Sequence, residues 1–335
     1  MITIKDIAQK CNVSPSTVSK VIKDYPTIPE ETKERVRKVM DELGYIPNAA
    51  ASSLSSGQYT NIGILGFLND KQSPLSRVIF SSILAHFQRA MSDKGYDLVF
   101  IDKNVRGQKA SFLRSCENKM VAGVLLFGNL YDQQMQEVMN SNIPCVGFDY
   151  FAENVNSVFT NGHKALYDLT KYIISNGHKN IMFVAGDQND MTQSRIDGFK
   201  QAMEEAGLEI HDYSITNIAY GSIEEVEKMS ERIVKEHPEV TAIIYPDDMT
   251  AQAGIHKLRE LGKKVPSDIS VAGFDGATWT KYLTHPLTTV KQDTHLIGKT
   301  LAELLISVIK NPDQEKQSIG LDAELLKGKT VAKIS

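Results

Sequence analysis

A chain of 335 residues with 41% hydrophobic and 23% charged side chains has the length of two or three domains and enough apolar residues to bury a core in each. Its formal net charge of -4 argues against a polybasic protein that coats nucleic acid, while leaving room for a small basic head on an acidic body. The cysteines, Cys11, Cys116 and Cys145, have neither zinc nor dithiol spacing, no stretch approaches the ~18 apolar residues of a membrane span, and the first residues carry no secretory leader. The expectation is a cytoplasmic protein with buried thiols, no metal and no cofactor.

Thr3 is a good helix N-cap, and Asp6 three residues on completes a capping-box pattern. Ile4, Ile7, Ala8 and Cys11 then recur at helical spacing. After the break at Asn12-Val13, Ser14 can cap a second helix with Pro15 at its first position, where no N–H is needed. Val18, Val21 and Ile22 form its inner stripe, leaving Ser16, Thr17, Ser19, Lys20 and Lys23 facing outward. A third helix carries Val36, Val39, Met40 and Leu43 on one face and stops at Gly44. Two short helices buttressed by a third make a helix-turn-helix. Short hydroxyls and lysines on the second helix suit a major groove, the lysines through counterion release. Up to Lys23 the chain holds Lys5, Lys10, Lys20 and Lys23 against Asp6 alone, so the positive field is local. Small helical triads also serve as protein-binding modules, and on these residues alone that alternative stays open.

Thr3-Ile4-Lys5-Asp6-Ile7-Ala8, Val13-Ser14, Ser16-Thr17-Val18-Ser19, Glu30-Glu31-Thr32 and Leu43-Gly44-Tyr45-Ile46-Pro47-Asn48 together resemble the head of the lactose-repressor (LacI/GalR) family. The resemblance implies that the second helix enters the major groove, with Pro15, Ser16 and Lys20 at positions that vary with operator sequence. The expected DNA-contacting set is Thr3, Lys5, Ser14, Pro15, Ser16, Thr17, Ser19, Lys20 and Lys23, with Asn48, Ala51 and Leu54 from the segment that follows.

That segment, 48–60, opens on Asn48 as an N-cap and can form about two helical turns before Gly57, a length that is marginal in water. It resembles the family's hinge helix, which lies in the minor groove beside its dimer mate, with Leu54 as the wedge between base steps. Ser52 and Ser55 stand where the family often has basic residues, which would weaken docking. A flexible serine-rich linker is the alternative.

From Asn61, short apolar strands alternate with helical patterns. Ile62 to Phe67, Leu98 to Ile101, Val124 to Phe127 and Pro144 to Phe148 make one series. Ile181 to Val184, Ala242 to Tyr245 and Ile269 to Phe274 belong to a second. The pattern predicts an α/β body of two lobes, each a doubly wound parallel sheet. Ligands of such sheets sit beyond the carboxyl ends of the strands. Asp149, Asp247 with Asp248, and Asp275 all follow strands, and carboxylates there suit a hydroxyl-rich ligand. Arg195, read as opening a helix, adds a donor fork. Each acid can equally be a cap or turn former, Asp248 above all.

Ser194-Arg195 with Gly198-Phe199, Pro246-Asp247-Asp248-Met249, Val265 to Val271 with Gly273-Phe274-Asp275, and Pro286 to Gln292 again resemble the repressor family. The likeness implies a periplasmic-binding-protein-like body and carries over Asp149, Arg195, Asp247 and Asp275 as effector ligands. Asp247 replaces the family's usual Asn. Tyr220 and Trp279 are candidate aromatic walls for a sugar face, each equally a candidate core residue, and Asn161 matches a family Asn at the entry to the second lobe.

The reading is thus a head over 1–47, a hinge over 48–60 and a two-lobed body over 61–335. The first lobe takes about 61–160 and 294–320, the second about 161–293 and 321–335. A late helix over 298–310 is expected to return to the first lobe and the C-terminal strands to the second. The expected function is a transcriptional repressor controlled by a small molecule, best a neutral sugar, acting as a homodimer on a pseudo-palindromic operator, without membrane association. A phosphorylated ligand is disfavoured because one arginine faces three acids. An enzyme is the first rival, but the chain has no phosphate loop, nucleophile elbow or metal-spaced His pair. A secreted solute-binding protein would need a leader. Control by a phosphorylated partner protein would need a basic patch, and the late helix offers only Lys299 and Lys310.

Overall fold

The computed structural model describes residues 2–45, 59–66, 77–105, 107–128, 132–150 and 155–334. The chain divides into a unit up to Thr60 and a second from Asn61 onward.

In the first unit, α1 (Ile4–Lys10), α2 (Pro15–Ile22) and α3 (Glu30–Leu43) enclose a core of Ile7, Ala8, Cys11, Val18, Val21 and Val36. The turn between α1 and α2 places Asn12 at φ 51°, a left-handed conformation that Asn tolerates because its short polar side chain can bond locally. Gly44 closes α3 at φ 61°, where a Cβ would be strained. Lys33 is buried, and its ammonium reaches Asp24 at 2.9 Å and Glu30 at 3.5 Å. Arg37 joins the same two acids, so the turn after α2 is tied to α3 by an ion-pair network.

In the second unit, β1 (Asn61–Leu65) leads to α4 (Val78–Ser92) and β2 (Asp97–Phe100). A small antiparallel pair, β3 (Asn104–Val105) and β4 (Gln108–Lys109), precedes α5 (Phe112–Asn118). Next come β5 (Val121–Leu126), α6 (Gln133–Met139), β6 (Cys145–Phe148) and β7 (Asn156–Thr160). Then follow α7 (Gly162–Ser175), β8 (Ile181–Ala185), α8 (Asp190–Glu205), β9 (Ile215–Asn217) and α9 (Ile223–Glu236). After β10 (Ala242–Ile244), α10 (Asp248–Glu260) and β11 (Ser270–Asp275), a 3-10 turn covers Thr278–Tyr282. The chain ends through β12 (Thr288–Lys291), α11 (Thr294–Lys310), β13 (Ser318–Leu321) and β14 (Glu324–Leu326).

Two six-stranded sheets result, in the orders β13-β7-β6-β5-β1-β2 and β14-β12-β11-β10-β8-β9. Every pairing in the first is parallel; in the second only the edge strand β14 runs antiparallel, against β12. Both faces of each sheet are covered, as all-parallel sheets require. In β5, Leu125 joins the core beneath α4 and α11, while Val124 and Leu126 join that beneath α5 and α6. The second sheet has the same plan, with one core under α7 and α8 and another under α9 and α10. At Gly198 a Cβ would lie 2.0 Å from the His163 carbonyl oxygen, so glycine there lets α8 lie against α7.

The chain crosses between lobes after Thr160, again before Thr294, and a third time between Leu321 and Glu324. Two expectations need correction. The late helix begins at Thr294, capped by Asp293, and not near 298. The C-terminal strands do not both join the second lobe: β13 extends the first sheet beside β7, and only β14 reaches the second. All three cysteines are buried, and burial pushes the Cys116 thiol to about 12 and the Cys145 thiol to about 11. Among the described residues no helix is long and apolar enough to cross a membrane, and no cluster of His, Cys, Asp and Glu is placed to hold a metal.

Candidate functional site

In the head, the capping box of α1 is complete. The Asp6 amide donates to Thr3 Oγ1 at 3.4 Å, and the Thr3 amide and hydroxyl both donate to Asp6 Oδ2 at 2.8 Å. Thr3, a candidate DNA contact, therefore has its hydroxyl engaged in the cap. Ser14 caps α2 by accepting from the Thr17 amide at 3.1 Å, and its hydroxyl also lies 2.7 Å from Ser16 Oγ and 2.9 Å from Thr17 Oγ1. Three hydroxyls thus gather at the helix end where amides point outward and anions are favoured. Lys5, Ser14, Pro15, Ser16, Lys20 and Lys23 are exposed. Thr17 and Ser19, also expected on the outward face, are half-buried. Lys10 pairs with Glu42 at 3.2 Å, so its charge adds less to the local positive field than its position suggests. Asn48, Ala51 and Leu54 lie outside the described residues.

Between the lobes is a cavity of about 310 Å³. The first lobe contributes Arg77, Val78, Ile79 and Ser82 from the start of α4, with Thr294 from α11; the second contributes Asp247, Asp248, Asp275, Trp279, Lys291 and Gln292 among others. Three of the six candidate effector residues, Asp247, Asp275 and Trp279, form its wall. Asp149, Arg195 and Tyr220 do not, although they are close to it.

Asp247 and Asp248 exchange the roles expected of them. Asp247 is the N-cap of α10: its Oδ1 accepts from the Thr250 amide at 2.8 Å, and Thr250 returns a bond to the Asp247 amide. Its Oδ2 is buried and has no partner among the described residues. Asp248, expected to be the cap, is the first helical residue. It accepts from Thr289 Oγ1 at 2.5 Å and from the Ala277 amide at 2.6 Å, tying α10 to β12 and to the loop after β11. Burial and the neighbouring acids Asp275 and Asp247 raise its pKa well above the usual carboxylate value.

Arg195 does not open its helix. Asn189 caps α8, and Arg195 is buried in its second turn. Its guanidinium lies 3.8 Å from the Phe274 ring centroid and donates to Tyr220 Oη at 3.2 Å and to the Pro246 carbonyl at 3.4 Å, while Nε has no partner among the described residues. Tyr220 is held in turn by Thr192 Oγ1 at 3.3 Å and by the space that Gly186 leaves for its ring. Arg195 is thus a strut behind the cavity that braces Tyr220.

Asp149 and Asp275 end equivalent strands in the two lobes, and both adopt positive φ, 59° and 105°. Non-glycine residues held in sparsely populated conformations cluster at functional sites. The Thr160 amide donates to Asp149 Oδ1 at 3.3 Å, the Thr160 hydroxyl donates to Gln292 Oε1, and Gln292 Nε2 donates to Asp275 Oδ1 at 2.8 Å. Burial raises the Asp149 pKa against the opposing charges of Arg195 and Arg77. Burial, with Asp247 adding to it, pushes Asp275 up to about 7 although Arg77 and Arg195 oppose it.

Among the wall residues that escaped the sequence reading are Gln292 and Arg77. Gln292 directly follows β12, so the strand-end rule that selected the acids also selects it. Arg77 precedes an apolar helix in no motif, and nothing local marks it. Its guanidinium sits between the rings of Phe80, 4.7 Å away, and Tyr220, 4.6 Å away, one from each lobe. The count of a single arginine near three acids is therefore revised to two.

Residues 3–48 match the family model of bacterial regulatory proteins of the lacI family, and residues 170–331 match that of the periplasmic binding protein-like domain. The chain is 30% identical to the HTH-type transcriptional repressor PurR of Vibrio vulnificus (strain CMCP6), with 100% of each chain covered. Its fold is similar to that of the lac repressor dimer bound to operator and the anti-inducer ONPF, at TM-score 0.81 and 24% identity over 99% of each chain. It is also similar to the transcriptional regulator CelR in complex with cellobiose, at TM-score 0.70 and 23% identity over 98% of this chain and 100% of the other. With a lacI-family head, a periplasmic-binding-like body and a full-length repressor relative, the chain belongs to the LacI family and is a DNA-binding transcriptional repressor, not an enzyme.

Proposed function

We propose that this repressor's affinity for operator DNA is set by a polyhydroxylated small molecule, a sugar or close relative, bound between the two lobes. The observation that carries the reading is Asp247, a wall residue of a cavity shared by both lobes, whose buried Oδ2 has no partner among the described residues. A buried carboxylate oxygen without a donor is costly, and a ligand hydroxyl relieves it. Asp275 offers a second acceptor and Trp279 an apolar wall for a sugar face. Arg195, Tyr220 and Asp149 act from behind the wall, Arg195 by bracing Tyr220. The volume is at the lower end of the range of about 300–1,000 Å³ usual for small-molecule sites, which suits a mono- or disaccharide. The CelR structure, in complex with cellobiose, lends the class support.

On the DNA side the reading is a cytoplasmic homodimer on a pseudo-palindromic operator, since a lone head of this size makes few contacts and a twofold pair doubles them. Ser16 and Lys20 read bases, Lys5 and Lys23 hold phosphate, and Leu54, preceded by Asn48 and Ala51, is the minor-groove wedge. Titrating operator DNA with the full chain, with and without a panel of sugars, tests the whole reading. A sugar that binds the body and shifts operator affinity is the expected result, with a coupling of ~1–3 kcal/mol that operator must return to the sugar. A panel in which bound sugars leave operator affinity unchanged rejects it.

A further inference from the structure

Arg77 is not explained by a neutral ligand. Arginine normally spends its five N–H donors on carboxylates, carbonyls or water. Among the described residues the Arg77 guanidinium makes no hydrogen bond and no ion pair, yet it is half-buried in the cavity wall. What holds it is stacking: Phe80 and Tyr220 flank it at 4.7 Å and 4.6 Å. Contacts with two rings engage none of the N–H donors, and among the described residues these donors have no acceptor; the donor edge of a guanidinium is the part that binds a carboxylate through two parallel N–H···O bonds. Lys291 adds a second cation to the lining of the same cavity; it is exposed and pairs with Glu324 at 3.9 Å. Asp247 and Asp275 provide the acceptors.

We propose that Arg77 is a specificity-determining residue that makes this a cleft for an acidic sugar, a uronate or aldonate whose carboxylate meets the Arg77 fork while its hydroxyls meet Asp247 and Asp275. The proposal rests on the interlobe ligand reading above and narrows it from sugars in general to carboxylated ones. A carboxylate fits better than a phosphate, because a planar singly charged group matches a planar fork and is repelled less by the two acids. The charges of Asp149 and Asp275 also feel Arg77, so the competing role is simple neutralisation of those acids. In that case neutral sugars would bind at least as well.

The test is calorimetric titration of the full chain with matched probes: D-glucose, D-glucuronate, D-gluconate and D-glucose 6-phosphate, and the corresponding galactose set. The wild type is expected to bind a carboxylated member roughly ten- to a hundredfold more tightly than its neutral parent, the range for charge-assisted bonds. Arg77→Met, which can still lie between the two rings, should erase that advantage. Arg77→Lys, which keeps the charge and loses the fork, should retain part of it, and it serves if the Met variant fails to fold. A neutral sugar or a sugar phosphate as the best wild-type ligand overturns the proposal while leaving the interlobe reading intact. So does an acid preference that survives Arg77→Met, or silence from every probe. Conversely, an acid that binds through Arg77 but leaves operator affinity unchanged upholds the proposal and removes the regulatory reading.

Discussion

The Thr160 hydroxyl donates to the side-chain carbonyl of Gln292, a bond between residues 132 positions apart that joins two of the points where the chain passes from one lobe to the other. Both residues are buried. Through the Thr160 amide on one side and Gln292 Nε2 on the other, the bond completes a path from Asp149 in the first lobe to Asp275 in the second. Any rotation of the lobes must keep or break it.

Replacing Gln292 therefore has a defined cost. Gln292→Ala leaves the Thr160 hydroxyl and an Asp275 oxygen without their buried partner. The expected loss of body stability is about 1–3 kcal/mol by chemical denaturation. A change indistinguishable from zero would mean that water replaces the amide without penalty.

Asp275 gives the body a pH dependence of predictable sign. Its pKa in the fold is raised from an ordinary value near 3.8 to about 7. The stability it contributes is full below about pH 4 and is lost as pH rises through 7, because the buried form prefers to be neutral. Asp149 and Asp248 are raised in the same direction. Between pH 5 and pH 8 the unfolding midpoint should fall more steeply in the wild type than in Asp275→Asn, which keeps the acceptor for Gln292. Parallel pH profiles would contradict this.

Asp247 allows ligand binding to be separated from folding. Asn caps helices about as well as Asp, so Asp247→Asn should preserve the cap of α10 and change stability by no more than about 0.5 kcal/mol. It exchanges a free carboxylate oxygen for an amide, so the response of operator binding to the effector should weaken or change specificity. A retained response of unchanged selectivity would exclude Asp247 as a ligand. Arg195→Ala is a poorer probe, since it also removes the brace on Tyr220.

On the DNA side, Lys20→Ala should reorder a set of operator variants, by ~1–3 kcal/mol at the affected base pair. Lys23→Ala should weaken all of them alike and reduce the slope of log affinity against log salt by about one. Electrophoretic or fluorescence titrations over several salt concentrations separate the two. If both variants shift every operator by one common factor, Lys20 is not a reader.

What the sequence determined by itself is local or periodic. The Thr3–Asp6 box and the Ser14 cap are contacts over three residues, and the apolar stripes of the head follow from 3.6 residues per turn. The alternation of apolar strands with helices likewise specifies two wound sheets, and the strand-end rule points to Asp247 and Asp275. Only the tertiary structure decided which of Asp247 and Asp248 caps α10, because that depends on whether Thr289 and Ala277 claim the other. It alone brought Arg77 between rings from two lobes, buried Arg195 against Phe274, and lifted Asp275 towards neutrality. Those outcomes depend on burial and on neighbours that the fold brings from other elements, and no local pattern encodes either.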